Sequence, residues 1–161
     1  MLHYFTSADD LEIKHIKKLI TAAENGDLEA KYTLGAYIDM GDFGPPNKKV
    51  ASQIFKDLAD QGHAHCLWIH ASELLWGRGS FPQSIENGTR YLDLAIENGS
   101  AEACISKARL HLLGELGFEQ NTILADKFRA LARELDETVM DPLGSKAYVK
   151  RIQLSLQNDD A

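Results

Sequence analysis

One six-residue pattern recurs three times in this chain and constrains its fold more than any other feature. Asn25-Gly26-Asp27-Leu28-Glu29-Ala30 opens the first copy, Gln61-Gly62-His63-Ala64-His65-Cys66 the second, and Asn98-Gly99-Ser100-Ala101-Glu102-Ala103 the third. The offsets are 36 and 37 residues, the size of a two-helix unit. Such a unit cannot bury its apolar face alone and gains its core by stacking on the next copy. The pattern therefore predicts an all-α chain, an α-solenoid of antiparallel helix pairs, in place of a globule around one core. A solenoid usually holds partners along an extended surface, so the repeat predicts a kind of function and says little of the partner.

Within each copy the Asn-Gly or Gln-Gly pair ends one helix, because glycine accepts the left-handed conformation at a C-terminal cap. The helix that follows carries an apolar stripe at helical spacing: Leu28, Leu34 and Ile38, then Ala64, Leu67 and Leu74, then Ala101, Ile105, Ala108 and Leu112. Small residues at Gly35, Ala71 and Ala108 leave room for a close helix neighbour. Gly41, Gly77 and Gly114 end these first helices, and Gly44, Gly79 and Gly117 follow in loops that also hold Pro45-Pro46 and Pro82. Second helices come next, with stripes at Val50, Ile54 and Leu58, at Tyr91, Leu94 and Ala95, and at Leu124, Phe128 and Leu131. Small residues recur near their ends at Ala59, Ala95 and Ala132.

The chain reads as one repeat domain over 1–161. A leading helix covers 8–24, with Ile13, Ile16, Leu19, Ile20 and Ala23 inward. Repeats cover 25–61, 62–98 and 99–135, and a capping segment covers 142–157, its helix starting near 145 after Asp141-Pro142-Leu143-Gly144 and carrying Val149, Ile152 and Leu156. Gln157-Asn158-Asp159-Asp160-Ala161 reads as a frayed tail.

Composition narrows the partner class. The formal net charge of −7 disfavours nucleic acid and anionic membrane surfaces, both of which reward basic patches. It mildly favours a basic protein partner, and a solvated acidic surface is the commoner explanation. No run approaches a membrane span, and the first ten residues reach Asp9-Asp10 before any long apolar stretch, so no secretory signal is read. Two cysteines do not make a disulfide framework, and a reducing cytoplasm is the expected setting.

The pattern Gly26…Ala30…Leu34-Gly35…Gly41…Gly44, then Ala51…Ala59…Gly62, is similar to the Sel-1-like repeat, a relative of the tetratricopeptide repeat. The resemblance covers about residues 20–135. Copy two departs from it at His70-Ala71, where Leu-Gly is usual. Copy three departs at Lys107-Ala108, and it ends in Leu135 where glycine is expected. The resemblance implies a right-handed superhelix and an adaptor or scaffold without enzymatic activity, and many bacterial members act in host interaction or signalling. One subgroup carries a cysteine pair in each repeat, which this chain lacks. Cys66 takes the small-residue place of Ala30 and Ala103, and Cys104 falls one place along, so both read as buried free thiols.

By the same resemblance the first helices line a concave protein-binding face. The register gives Glu29, Tyr32, Ala36, Asp39 and Met40 from copy one; His65, Trp68, Ser72, Leu75 and Trp76 from copy two; and Glu102, Ile105, Arg109, Leu112 and Leu113 from copy three. Of these, Glu29, Tyr32, Asp39, Met40, His65, Trp68, Trp76, Glu102 and Arg109 form the candidate protein-binding set. Tyr32, Trp68, Trp76 and Arg109 are residue types that dominate binding hot spots. Tyr32 and Trp68 read equally as packing between repeats, whereas Trp76, at a helix end beside Gly77, reads as accessible and replaceable by alanine without unfolding.

No constellation carries catalysis. His63, His65, Cys66 and His70 have ligand-like types, yet Cys66 and His70 occupy core positions, so no metal is expected. His111 takes the inward place of Ile38 and Leu74 and reads as a satisfied core histidine. Glu115 and Glu119 read as solvated loop charge. No phosphate loop or nucleophile elbow is present, and no catalytic residue or cofactor is expected. The lead expectation is a non-enzymatic module that binds a protein or peptide, with neither nucleic acid nor membrane as partner. The alternatives are a bacterial immunity or inhibitor protein that neutralises a toxin, and a scaffold that self-associates.

Overall fold

A computed structural model describes residues 1–159, with side chains through Leu154. Among the described residues there are eight α-helices and no strand: α1 (Asp10–Glu24), α2 (Leu28–Met40), α3 (Lys48–Ala59), α4 (Ala64–Trp76), α5 (Ile85–Glu97), α6 (Ala101–Leu113), α7 (Thr122–Leu135) and α8 (Lys146–Asp159). The chain divides into two compact units, Met1–Asn98 and Gly99 onward. Each is described by itself.

The helix starts follow the capping chemistry of the sequence. Asp27, His63 and Ser100 cap the first helices of the three repeats, and Asn47, Ser84 and Asn121 cap the second helices. Each side chain accepts from the backbone N–H three residues on. Asp9 and Glu12 form a capping box at the start of α1. The first helices end at Gly41, Gly77 and Gly114, each left-handed at φ +81°, +62° and +70°, a conformation that costs a side-chain-bearing residue free energy.

In the first unit α1 packs on α2, α2 on α3, α3 on α4, and α4 on α5. Ile16, Leu34, Leu58, Leu67, Leu75 and Leu92 are fully buried there. Tyr91 Oη donates to Asp60 Oδ1 at 2.7 Å, and Lys56 Nζ lies 2.6 Å from Asp60 Oδ2, tying α5 to the end of α3. The Lys56 ammonium first, and the Tyr91 hydroxyl second, hold the Asp60 carboxyl below the usual carboxylate range. Residues 1–7 lie on the loop after α2: Phe5 is buried, Ser7 N–H donates to the Phe43 carbonyl at 2.7 Å, and Gly44 backs onto the Tyr4 carbonyl.

The second unit pairs α6 with α7, and a short 3₁₀ turn at Pro142–Gly144 meets α8. Leu110 and Cys104 are fully buried. Arg129 Nε and Arg133 Nη2 both donate to Asp141 Oδ2 at 2.8 Å, fastening the turn to α7. Val149 and Ile152 are half-buried on α8. The Leu156 side chain and the tail at Asp160-Ala161 lie outside the described residues.

Three sequence expectations are corrected. Leu94, placed inward on α5, is 37% exposed, and the stripe runs through Gly88, Leu92 and Ala95 instead. In α1 only Ile16 is fully buried, while Ile13, Leu19, Ile20 and Ala23 are half-buried, because only α2 and the N-terminal turn cover this helix substantially. Glu115, read as solvated charge, is buried at 6% because Arg109 draws it inward.

Candidate functional site

Helices α2 and α4 bring four of the sequence-assigned residues together. The Tyr32 ring meets the His65 ring edge-on with centroids 5.3 Å apart, and His65 meets Trp68 at 5.1 Å. Tyr32 also stacks on His63 at 5.4 Å and tilts against Phe55 at 5.9 Å. Tyr32, His65 and Trp68 are half-buried, so each ring supports its neighbours and still reaches the surface. His63 holds the cluster at its base. Its Nδ1 accepts from Cys66 N–H at 3.3 Å as the cap of α4. Its Nε2 lies 3.0 Å from Glu29 Oε1, a close polar contact without the alignment of a hydrogen bond. The Glu29 side chain is 79% exposed. The result is an aromatic strip with an open carboxylate beside it. Of its members, sequence reasoning missed Phe55 and the capping role of His63.

The other assigned residues lie apart from this strip or do other work. Asp39 pairs with Lys48 at 2.9 Å. Met40 is 72% exposed at the end of α2. Trp76, read as accessible, is half-buried with its indole nitrogen shut off from solvent. The reading that alanine there leaves the fold untouched is therefore replaced by one in which it removes packing. Glu102 and Arg109 belong to the second unit. Glu102 Oε2 accepts from Ser100 Oγ–H at 3.1 Å. Arg109 makes a bidentate pair with Glu115, Nε to Oε2 at 2.9 Å and Nη2 to Oε1 at 2.7 Å, so its guanidinium serves the fold.

The residues with ligand-like chemistry are placed by packing. His70 is 2% exposed, its ring edge-on to Phe81 and Tyr91, with Nδ1 3.4 Å from Glu73 Oε2. His111 is half-buried, with Nδ1 3.2 Å from the Glu119 carbonyl and its ring against Phe118 and Phe128. Among the described residues no three His, Cys, Asp or Glu side chains converge as metal ligands. Cys66 and Cys104 are free and buried. Burial pushes the Cys66 thiol up to about 12, with the Glu29 charge adding to it, and burial pushes Cys104 up to about 11. Thiolate is the reactive form. Both cysteines are therefore expected to resist a thiol reagent such as Ellman's in the folded chain at pH 8 and to react fully in guanidinium. Fast reaction of the folded chain would contradict the burial. The linkage sign follows: above about pH 8.5 the unfolded chain ionises these thiols while the folded one does not, so stability falls as pH rises.

No protein-family model matches the chain, and no curated protein matches it. Solved structures do. The chain is similar to a Sel1 repeat protein from Oxalobacter formigenes, with TM-score 0.67 and 21% identity over 74% of this chain and 47% of that one. It is also similar to a protective antigen of uropathogenic Escherichia coli strains that displays the SLR fold, with TM-score 0.63 and 22% identity over 74% of this chain and 25% of that one. The fold is thus that of the Sel1-like repeat, an α-solenoid built of helix pairs. The chain spans about half the length of the first neighbour and a quarter of the second. Among the described residues no helix is long and apolar enough to cross a membrane.

Proposed function

We propose that this chain is a non-enzymatic protein-interaction module whose α2 and α4 present the binding face. Trp68, Tyr32 and His65 act as anchors, and Glu29 is the acidic complement to a basic segment of the partner. The convergence of these four residues from two helices carries the reading. Large, mutually braced aromatic rings lose little entropy on binding and bury much area, which is why such residues dominate interfaces. A carboxylate open to solvent beside them favours an arginine or lysine of the partner, since rings and carboxylate both attract a cation. The net charge of −7 supports the same partner class over nucleic acid or an anionic membrane. The two buried free thiols support a reducing compartment such as the cytoplasm. A bacterial immunity or inhibitor protein that neutralises a basic toxin is the narrower form of this reading.

The test is retention of native partners on immobilised chain, identified by mass spectrometry, for the wild type, Trp68→Ala and Glu29→Lys. Trp68→Ala should weaken the specific partner by about tenfold or more, the scale of a hot-spot truncation. Glu29→Lys changes an exposed side chain, so it should lower affinity while the chain stays folded, its thermal midpoint falling modestly as the contact with His63 and the acid in the first turn of α2 are lost. A specific partner held equally by all three would remove the face from consideration.

A further inference from the structure

We propose that the first unit also carries a small-molecule site. It is a cleft between α2, α3 and α4 that takes a short zwitterion, a cationic head on an aliphatic stem ending in a carboxylate, as in a basic amino acid. The cleft encloses about 340 Å³ and is graded in both depth and charge. Ser52 is buried, and the Glu73 side chain is only 15% exposed, so these form the floor. Arg78 and Lys48 are exposed and stand at the rim, Lys48 paired with Asp39. Phe55 and the half-buried Ile69 supply apolar wall between the two levels. A ligand that fits must place a cation on Glu73, run an apolar stem along the wall, and leave an anion at Arg78, since Lys48 is held by Asp39.

The floor carboxylate is unusual for its place in the repeat. The equivalent positions in the other two copies hold Tyr37 and Leu110, the latter fully buried. Enclosing a carboxylate there costs free energy unless donors are supplied. The Ser52 hydroxyl donates to Glu73 Oε1, and His70 Nδ1 lies 3.4 Å from Oε2. An ionised carboxylate accepts about four hydrogen bonds, so acceptor capacity remains, and Glu73 lines the cleft. Residue 79 is glycine, and a Cβ there would meet the Glu73 carboxyl, so the loop packs close against one side of the acid. A local departure from the repeat's apolar pattern with its own donors and an opening is the mark of a site.

The test is calorimetric titration of the folded chain with L-arginine and with agmatine, which keeps the guanidinium and stem but lacks the carboxylate. L-arginine should bind, and Glu73→Gln should weaken it about tenfold or more by removing the charge while keeping the shape. Arg78→Ala, which changes only an exposed rim residue, should weaken L-arginine and leave agmatine unaffected. A third probe, the peptide Gly-Gly-Arg, separates the sources. Tighter binding than L-arginine assigns the site to the C-terminal basic residue of a protein, and weaker binding assigns it to the free amino acid. The proposal is overturned if L-arginine gives no binding at about 20 mM, or if Glu73→Gln leaves it unchanged. Should Glu73→Gln fail to fold, equal effects of Arg78→Ala on L-arginine and agmatine would overturn it. The cleft shares Phe55 with the aromatic strip but holds its ligand on Glu73 and Arg78, which the strip does not use, so its failure leaves that reading untouched.

Discussion

Arg109→Ala is expected to destabilise the chain by about 2–4 kcal/mol, the largest single-residue effect outside the apolar core. Glu115 is the reason. Its side chain is 4% exposed, and the Arg109 guanidinium supplies two hydrogen bonds at 2.7 and 2.9 Å. Removing the cation leaves a carboxylate enclosed without its charge partner, and the cost is that desolvation, well beyond the value of a surface ion pair. The figure sits below the full range for a wholly buried pair because the Arg109 side chain keeps 20% of its exposure. The backbone adds a second signature. Leu116, next to Glu115, is held at φ +56°, a left-handed conformation a leucine adopts at a cost, so the turn is kept in place by what Glu115 gains inside. The urea midpoint should fall for Arg109→Ala and recover in large part for Arg109→Met combined with Glu115→Leu, which removes both charges together. A loss under about 0.5 kcal/mol for the single variant would mean that the pair is solvated in solution.

Gly88→Ala is the second large effect, and its sign is the informative part. Alanine in a helix gains about 1 kcal/mol over glycine from backbone entropy. Here a Cβ would lie 2.7 Å from Leu75 Cγ and 2.9 Å from the Leu75 backbone nitrogen. The leucine side chain can rotate, but the nitrogen belongs to α4 and moves only if the helices separate. Overpacking of this kind costs about 1–3 kcal/mol, so packing outweighs propensity and the variant is expected to be less stable by up to about 2 kcal/mol. Gly88→Val should lose more. Stabilisation by Gly88→Ala in a thermal melt would mean that α4 and α5 are further apart than described.

The repeat punctuation was legible because it is local chemistry. Glycines that must be left-handed and caps that must accept from the backbone mark helix ends without any knowledge of tertiary structure. The inward places of Leu34, Ile38 and Leu58 follow from helical spacing alone, and all are buried. Leu94 shows where that reasoning fails. First helices one and two are 36 residues apart, as Gly41 and Gly77 are, whereas the caps Asn47, Ser84 and Asn121 recur at 37. The second loop holds one more residue than the first. Carrying 36 through it places Leu94 opposite Leu58, although the partner of Leu58 is Ala95. Counting from the caps would have placed Leu92 opposite the buried Phe55.

The candidate site was legible in its residue types and only partly in its grouping. Register placed Tyr32, His65 and Trp68 on first helices, and contact between their rings depends on how α2 and α4 pack. Arg109 had the type of a binding anchor, yet its partner six residues on is drawn inward by a turn that sequence spacing does not encode. The carboxylate at Glu73 is legible as a departure from the repeat, since aligning the three copies sets it against Tyr37 and Leu110.

The central claim, that α2 and α4 form the binding face, is tested most directly by backbone amide NMR of the labelled chain titrated with the partner retained by the wild type. The account predicts the largest shift changes over 28–36 and 63–72, with Tyr32, His65 and Trp68 among them, and their loss with Glu29→Lys. Saturable binding that leaves these amides unmoved and shifts only residues of the second unit would contradict it.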